Sequence, residues 1–360
     1  MDIQKATKLY ERWLSDHIDL VKPDIDRKHE QMAAGAFPFL RATYYRWAQT
    51  WQEICPELIS GPVVLSVADL HVENYGTWRD LEGRLVWGIN DFDEAFQLPW
   101  AADVLRLATS AVIAIDSDHL SIGRSKACDA ILQGYKNALS TGGKPFVLAE
   151  VHEWLRKLSL AKARQPAIFW RKLNELATWE APLPPSAQSA LLHLLPLPDL
   201  EHRVVHRVAG LGSLGRHRFV AIADWCGGRL AREAKALAPS ACLWASDGTD
   251  TNASFQQQLL DGAVRVKDPY LRLSDGWIVR RLAPDCIRVE LASLPTHREE
   301  SLLLHSMGFE LGNVHLSSPE TREAILQDLD QRPENWLLEA TKLMCKQVTS
   351  DLKEWRKNYT

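Results

Sequence analysis

Residues 210 to 215 read "GLGSLG", and the stretch that follows, "RHRFVAIAD", has the β-branched and aromatic content of a strand. This pairing constrains the fold, because a G-x-G-x-x-G turn has two standard settings that differ in what comes next. A dinucleotide-binding fold needs a helix after the last glycine, so that the pyrophosphate meets a helix N-terminus. Strand, glycine turn, strand instead makes a hairpin whose unhindered backbone amides can lie close against a ligand. "RVVHRVAG" supplies the first strand. Gly210, Gly212, Ser213 and Gly215 are therefore candidate ligand-cradling positions, although an ordinary glycine-rich hairpin has the same pattern.

The hairpin lies in a strand-rich segment, residues 201–295, with further strand patterns at "GRLAREA", "GWIVRRLA" and "CIRVELA". Residues 179–200, "WEAPLPPSAQSALLHLLPLPDL", carry five prolines and read as a linker. Residues 1–178 are mainly helical. Helical spacing is seen in the first twenty residues, in "FLRATYYRWAQTWQEI", in "WAADVLRLATSAVIAI", in "SIGRSKACDAILQGYKNAL" with Ser121 as N-cap, and in "FVLAEVHEWLRKLSLAKAR". "GPVVLSV" and "GRLVWGIN" are short strands within it, and helices return over 296–360, expected to pack on the first segment. The order predicts an α+β protein of two unlike lobes.

"SVADLHVENYG" at 66–76 places Asp69, His71, Glu73 and Asn74 just after an apolar strand, and "NDFDEA" adds Asp91, Asp93 and Glu94 after the next one. Loops at strand ends display functional side chains. Hard cations such as Mg²⁺ take carboxylate and amide oxygens and complete their shell with water and phosphate. Asn74, Asp91 and Asp93 suit such a cation, which leaves Asp69 as a base; a solvated strand end explains Asp93 and Glu94 equally well. Asp69 and His71 also form the DxH of metal-dependent phosphoesterases, but the GD and GNH segments that chemistry requires are missing downstream.

The acids resemble the catalytic core of small-molecule kinases of the aminoglycoside phosphotransferase and choline kinase type, where D-L-H-x-x-N is followed by D-F-x-x-A. The matching residues are Asp69, Leu70, His71 and Asn74, then Asp91, Phe92 and Ala95. The resemblance implies that Asp69 accepts the proton of a substrate hydroxyl and that Asn74 and Asp91 hold the metal ions that bridge ATP phosphates. Asp103, in "AADVLRLA", stands where a second aspartate braces the loop, and His71, Glu73 and Arg106 are supporting residues. Val67 occupies the place of a histidine in those kinases. The glycine hairpin resembles their phosphate flap, which is followed by a strand with a phosphate-binding lysine. "GRLAREAK" offers Arg232 at that position and Lys235 just beyond, and no Glu between Glu233 and Glu290 can serve as the lysine's partner.

In kinases the flap precedes the catalytic loop, whereas here it follows by about 140 residues. That inversion, with "FPFLRATYYRW", "GLGSLG", "REA", "DPYL" and "IVRRL", resembles a bacterial family known as domain of unknown function 2252, over roughly residues 30–316. Ala68 and Arg232 depart from its glycine and lysine. This resemblance implies a two-lobed protein-kinase-like fold, circularly permuted, and no substrate; the likeness to the D-L-H-x-x-N kinases adds the expectation that it binds ATP with Mg²⁺ and phosphorylates a hydroxyl-bearing acceptor, by analogy a small molecule. A nucleotide-binding pseudokinase without effective catalysis is the alternative, and a hairpin protein whose acids hold a structural cation is a third reading.

The 42 bases and 46 acids are spread along 360 residues, for a net charge of -4, which points away from nucleic-acid or anionic-membrane partners. Six dispersed cysteines without a CxxC pair argue against a zinc or redox site and for small buried side chains in a reducing cytoplasm. "MDIQKATKLYERWLSD" is charged and amphipathic, unlike a targeting leader, so a cytoplasmic location is expected. The fourteen tryptophans follow no period and fit packing.

Overall fold

A computed structural model describes residues 1–149, 151–161, 165–246, 248, 255–286 and 299–357. It is a mixed α+β structure. Helices α1 (Ile3–Ser15), α2 (Lys22–Ala34), α3 (Ala36–Ala42) and α4 (Tyr44–Ile54) come first, followed by strands β1 (Val63–Ser66), β2 (Tyr75–Arg79), β3 (Leu85–Ile89) and β4 (Phe96–Pro99). Next are α5 (Ala101–Asp116), α6 (Arg124–Thr141), β5 (Phe146–Val147), α7 (Glu153–Ala161), α8 (Pro166–Asn174) and α9 (Pro185–Leu192). The later part contains β6 (Arg203–His206), β7 (Arg218–Trp225), β8 (Gly228–Ala236), α10 (Ala241–Ala245), α11 (Phe255–Gly262), β9 (Arg272–Ser274) and β10 (Trp277–Leu282). Helices α12 (Glu299–His315), α13 (Arg322–Gln331) and α14 (Trp336–Lys357) close the described chain.

The main core forms around α5, whose apolar run is buried on nearly every side, as a helix without a polar face must be. Helix α12 crosses α6 with the two backbones in contact. A Cβ on Gly134 would lie 1.9 Å from the His305 carbonyl oxygen, and one on Gly308 would lie 2.0 Å from that of Ile131, so only glycine fits at this crossing. Helix α14 returns across α5 and is tied to α4 by the buried pair of Arg46 Nε and Asp351 Oδ2 at 2.9 Å. Two small antiparallel sheets, β1–β4 and β2–β3–β5, edge this core. Their ends present the two acidic loops.

The second unit is an antiparallel sheet in the order β6–β7–β8–β10–β9. Strand alternation gives it two faces. Phe219, Ala221, Ala234 and Val279 pack against α9, while Val220, Ile222, Ala231 and Leu282 pack against α8. The proline-rich stretch is therefore not a free linker: its middle forms α9, with Pro185 in the first turn where the missing N–H costs nothing, and it covers one face of the sheet. The sheet unit thus begins near α8, ahead of the expected boundary at residue 201.

Three further local expectations are corrected. "FLRATYYRWAQTWQEI" forms two helices broken at Thr43, not one. Ser121 does not cap α6, whose N-cap is Gly123; its backbone N and Oγ donate instead to the buried Glu300 carboxylate. All six cysteines are free, and Cys55, Cys128 and Cys242 are buried, but Cys226 is exposed at a left-handed turn position. The expected "CIRVELA" strand falls mostly on residues outside those described. No helix among the described residues is long and apolar enough to cross a membrane.

Candidate active site

Asp69 sits in a sharp turn directly after β1. Asp103, fully buried at the start of α5, accepts the backbone N–H of Val67 at 2.7 Å on Oδ2 and that of Ala68 at 2.8 Å on Oδ1. His315 Nε2 lies 3.0 Å from the same carboxylate, and Tyr135 Oη lies 2.8 Å from His315 Nδ1. Ala68 has φ +70°, in the left-handed region, which accounts physically for glycine suiting this position. The turn thus aims Asp69 away from β1 and into a cleft.

Asn74 stitches the two acidic loops together. Its Nδ2 donates to the Asp69 carbonyl at 3.3 Å and to the Asp91 carbonyl at 3.0 Å, while its own carbonyl accepts from Asn90 N at 3.0 Å. Its Oδ1 is buried and unbonded, as is Asp93 Oδ1. Two buried acceptors without donors on one cavity are costly unless something electropositive meets them. His71 Nδ1 accepts from Glu73 N at 3.2 Å, and the Glu73 carboxylate pairs with Arg41 at 2.5 Å, so both shape the loop.

Arg106 Nη2 donates to Asp69 Oδ1 at 2.8 Å and to the Leu40 carbonyl at 2.7 Å, with its guanidinium over the Trp47 ring. Burial pushes the Asp69 carboxyl up, and Arg106 opposes that shift. Asp69 Oδ2 faces the glycine turn, since a Cβ on Gly212 would lie 3.4 Å from it and 3.1 Å from the Arg41 carbonyl oxygen. Gly210 and Gly215 have φ +78° and +96°, so the turn depends on their lack of a side chain.

Strand β8 and the loop leading into β7 each deliver a cation to the second acidic loop. Lys235 Nζ lies 3.2 Å from Asp91 Oδ1 and also pairs with Asp93. Arg216, next to Gly215, bonds Asp93 Oδ2 at 3.2 Å and Glu94 Oε1 at 2.9 Å. Burial and the charge of Asp91 push the Asp93 carboxyl up to about 6, against the pull of Lys235 and Arg216. The other Glu94 oxygen accepts the Ala241 N–H at 2.6 Å.

Arg232 is a site candidate that contacts neither acidic loop nor the glycine turn. It sits on β8 with the opposite parity to Lys235, donates Nε to the Leu194 carbonyl at 2.9 Å, and stacks over Tyr270. Lys235, instead, is the residue of this strand that reaches the cleft-lining carboxylates of Asp91 and Asp93, and two residues earlier Glu233 shares its face. Glu233 carries Arg207 at 2.5 Å, Arg218 at 2.6 Å and Arg280 at 2.9 Å. Burial alone would raise its carboxyl, but the three guanidiniums hold it well below the usual range. Arg218 also donates to Ser213 Oγ at 2.9 Å, which links the cluster to the glycine turn.

The cleft between these parts leaves about 50 Å³ for water and is lined by both acidic loops, the glycine turn and side chains from α1 to α4. That is room for a few waters, so a nucleotide would have to open it. Sequence reading passed over Arg216, Arg218 and Lys28, which also line or flank the cleft. Arg216 and Arg218 stand in "GRHRF" beside the last glycine, a usable signal, whereas Lys28 sits in an ordinary charged helix and gives none. Among the described residues no group of three or more His, Cys, Asp or Glu side chains is placed to hold a metal ion unaided.

No curated protein and no solved structure matches the chain. A model of the family described as "uncharacterized protein conserved in bacteria (DUF2252)" matches residues 20–173, a stretch that includes both acidic loops and Asp103 and ends before the glycine turn.

Proposed function

We propose that the protein is an ATP- and Mg²⁺-dependent phosphotransferase acting on a hydroxyl-bearing acceptor, with a kinase-like two-lobed core in permuted order. The observation that carries the reading is the meeting of chain segments about 140 residues apart: the glycine turn lies on Asp69 while Lys235 of the same sheet pairs with Asp91. Glycine turn, acid, amide and lysine converging on one cleft are the parts phosphoryl transfer requires.

Each residue has a role within that reading. Asp69 Oδ2 is held toward the cleft by the Arg106 bond on Oδ1, and would take the proton of the acceptor hydroxyl. Asn74 Oδ1, Asp91 and Asp93 Oδ1 are the oxygens that would hold Mg²⁺, and the two unbonded buried acceptors fit such an ion. Mg²⁺, when bound, supplies positive charge against the phosphate oxygens. Lys235 would exchange its carboxylate partners for phosphate, and the backbone amides of Gly210 to Gly215 would cover the phosphates and exclude water.

One observation favours a nucleotide-binding protein without turnover: Arg106 competes for the charge of Asp69. Two measurements separate the readings. ATP with Mg²⁺ is expected to raise the melting temperature of the full chain, because a ligand of the folded state stabilises it. No shift at millimolar concentration sinks both nucleotide readings. Given binding, Asp69→Ala is expected to lower ATP turnover by orders of magnitude, and an unchanged rate excludes Asp69 as the base.

A further inference from the structure

Lys28, on α2, is buried at 4% exposure and lines the same cleft as Asp69 and the glycine turn. Every neighbouring cation there has a carboxylate: Arg41 has Glu73, Arg106 has Asp69, Arg216 has Asp93 and Glu94, and Lys235 has Asp91 and Asp93. Lys28 differs. Its Nζ donates to the Gly212 carbonyl at 3.4 Å, the long limit of a hydrogen bond, and lies 5.7 Å from the centre of the Tyr45 ring. Among the described residues it forms no ion pair. An ammonium has three donors to satisfy, and a buried cation without an anion is held against the cost of its lost hydration. Burial accordingly pulls this ammonium down to about 8. A buried, unpaired cation facing a cavity is an anion site awaiting its anion.

The position of Lys28 indicates which anion. The residues proposed above for the nucleotide come from the sheet and the acidic loops, whereas Lys28 reaches the glycine turn from the helical part, beside Tyr10 and Tyr45. We propose that Lys28 anchors an anion subsite separate from the nucleotide phosphates, so that the acceptor is an anionic molecule carrying a phosphate or carboxylate near its reacting hydroxyl. The word acceptor rests on the phosphotransferase reading; the anion subsite does not.

The test uses the full chain, inorganic phosphate as probe, and a non-hydrolysable ATP analogue with Mg²⁺, with melting temperature as the readout. Phosphate is expected to raise the melting temperature of the wild type, and to raise it further when the analogue is saturating. Lys28→Met and the polar, neutral Lys28→Gln should bind phosphate about tenfold or more weakly, the scale of one charged hydrogen bond, with the analogue's shift unchanged. Lys28→Arg should keep most of the phosphate effect. Equal phosphate shifts in wild type, Lys28→Met and Lys28→Gln overturn the subsite. Competition between phosphate and the analogue, with the analogue's shift lost in both neutral variants, assigns Lys28 to the nucleotide and overturns the anionic acceptor. A phosphate shift that depends on Lys28, without any shift from the analogue, upholds the subsite and removes the phosphotransferase reading instead.

Discussion

Replacing Asp103 by Asn tests how the Asp69 turn is held. The carboxylate is fully buried and takes the Val67 N–H, the Ala68 N–H and His315 on two oxygens. Asn keeps one acceptor oxygen and turns an NH₂ toward one of the two backbone donors, leaving that N–H buried and unpaired. A hydrogen bond to a charged group contributes about 1.5–3 kcal/mol, and an orphaned buried donor costs about 1–3 kcal/mol. With the second bond reduced to a neutral one, Asp103→Asn is expected to cost about 3–5 kcal/mol. That is a large share of the roughly 5–15 kcal/mol that holds a domain together. Urea unfolding followed by far-UV circular dichroism measures it as a lower midpoint. On the phosphotransferase reading, turnover should also fall about a hundredfold even where the fold persists, since a shift of about 1 Å in a reacting group has that effect. A stability loss below about 1 kcal/mol would show that the turn is held by other contacts and would refute the bracing role of Asp103.

Three more outcomes follow from the same structure. Ala68→Gly should stabilise by about 0.5–1 kcal/mol in urea unfolding, the left-handed cost of about 1–2 kcal/mol less the extra freedom of glycine in the unfolded chain. If Asp69 is the base of the proposed reaction, Arg106→Met should move the acidic limb of the kcat/KM profile to higher pH, because Arg106 opposes the burial that raises the Asp69 carboxyl. The folded carboxyl is already raised, so folding favours its neutral form; that contribution is present at low pH, is lost as pH rises through the folded value, and should persist to higher pH in the variant. Glu233→Gln should destabilise by about 3–5 kcal/mol in the same urea assay, because it leaves three guanidiniums facing one another without their shared anion.

Much of the site was legible because its parts are local. "SVADLHVENYG", "NDFDEA" and "GLGSLG" are each a short run at a strand end, and strand ends can be read from alternation and turn residues. What escaped was set by partners distant in the chain. "GRLAREAK" puts a cation on either face of its strand, and both faces are covered; α9, distant in sequence, takes the face that carries Arg232, which is buried against the Leu194 carbonyl, while Lys235 on the other face meets the second acidic loop. The proline-rich stretch misled for a similar reason, since prolines at a helix start and beyond its end read as an interruption until a sheet is there to receive the helix between them. Lys28 and its neighbours on α2 carried no signal because a charged residue on an amphipathic helix is ordinarily solvated.

The contacts around the glycine turn also set the cost of using it. Val21 N donates to the Gly215 carbonyl at 2.8 Å, Leu20 and Arg216 form an isolated antiparallel bridge, and Ile25 fills the space where a Gly215 side chain would stand. Arg216 adds two ion pairs from beneath, and Lys28 touches the turn at Gly212. The turn is therefore clamped by the helical part on one side and by the second acidic loop on the other. A cleft with room only for water can admit a nucleotide only as part of that clamp releases, and the intrinsic affinity is reduced by the fraction of molecules in the open form. Lys235 and Arg216 both hold Asp93 Oδ2, so an ion on Oδ1 would draw charge from the carboxylate they share and weaken both ties together. On the phosphotransferase reading proposed above, metal binding and opening of the turn would be coupled through one carboxylate, and each would favour the other.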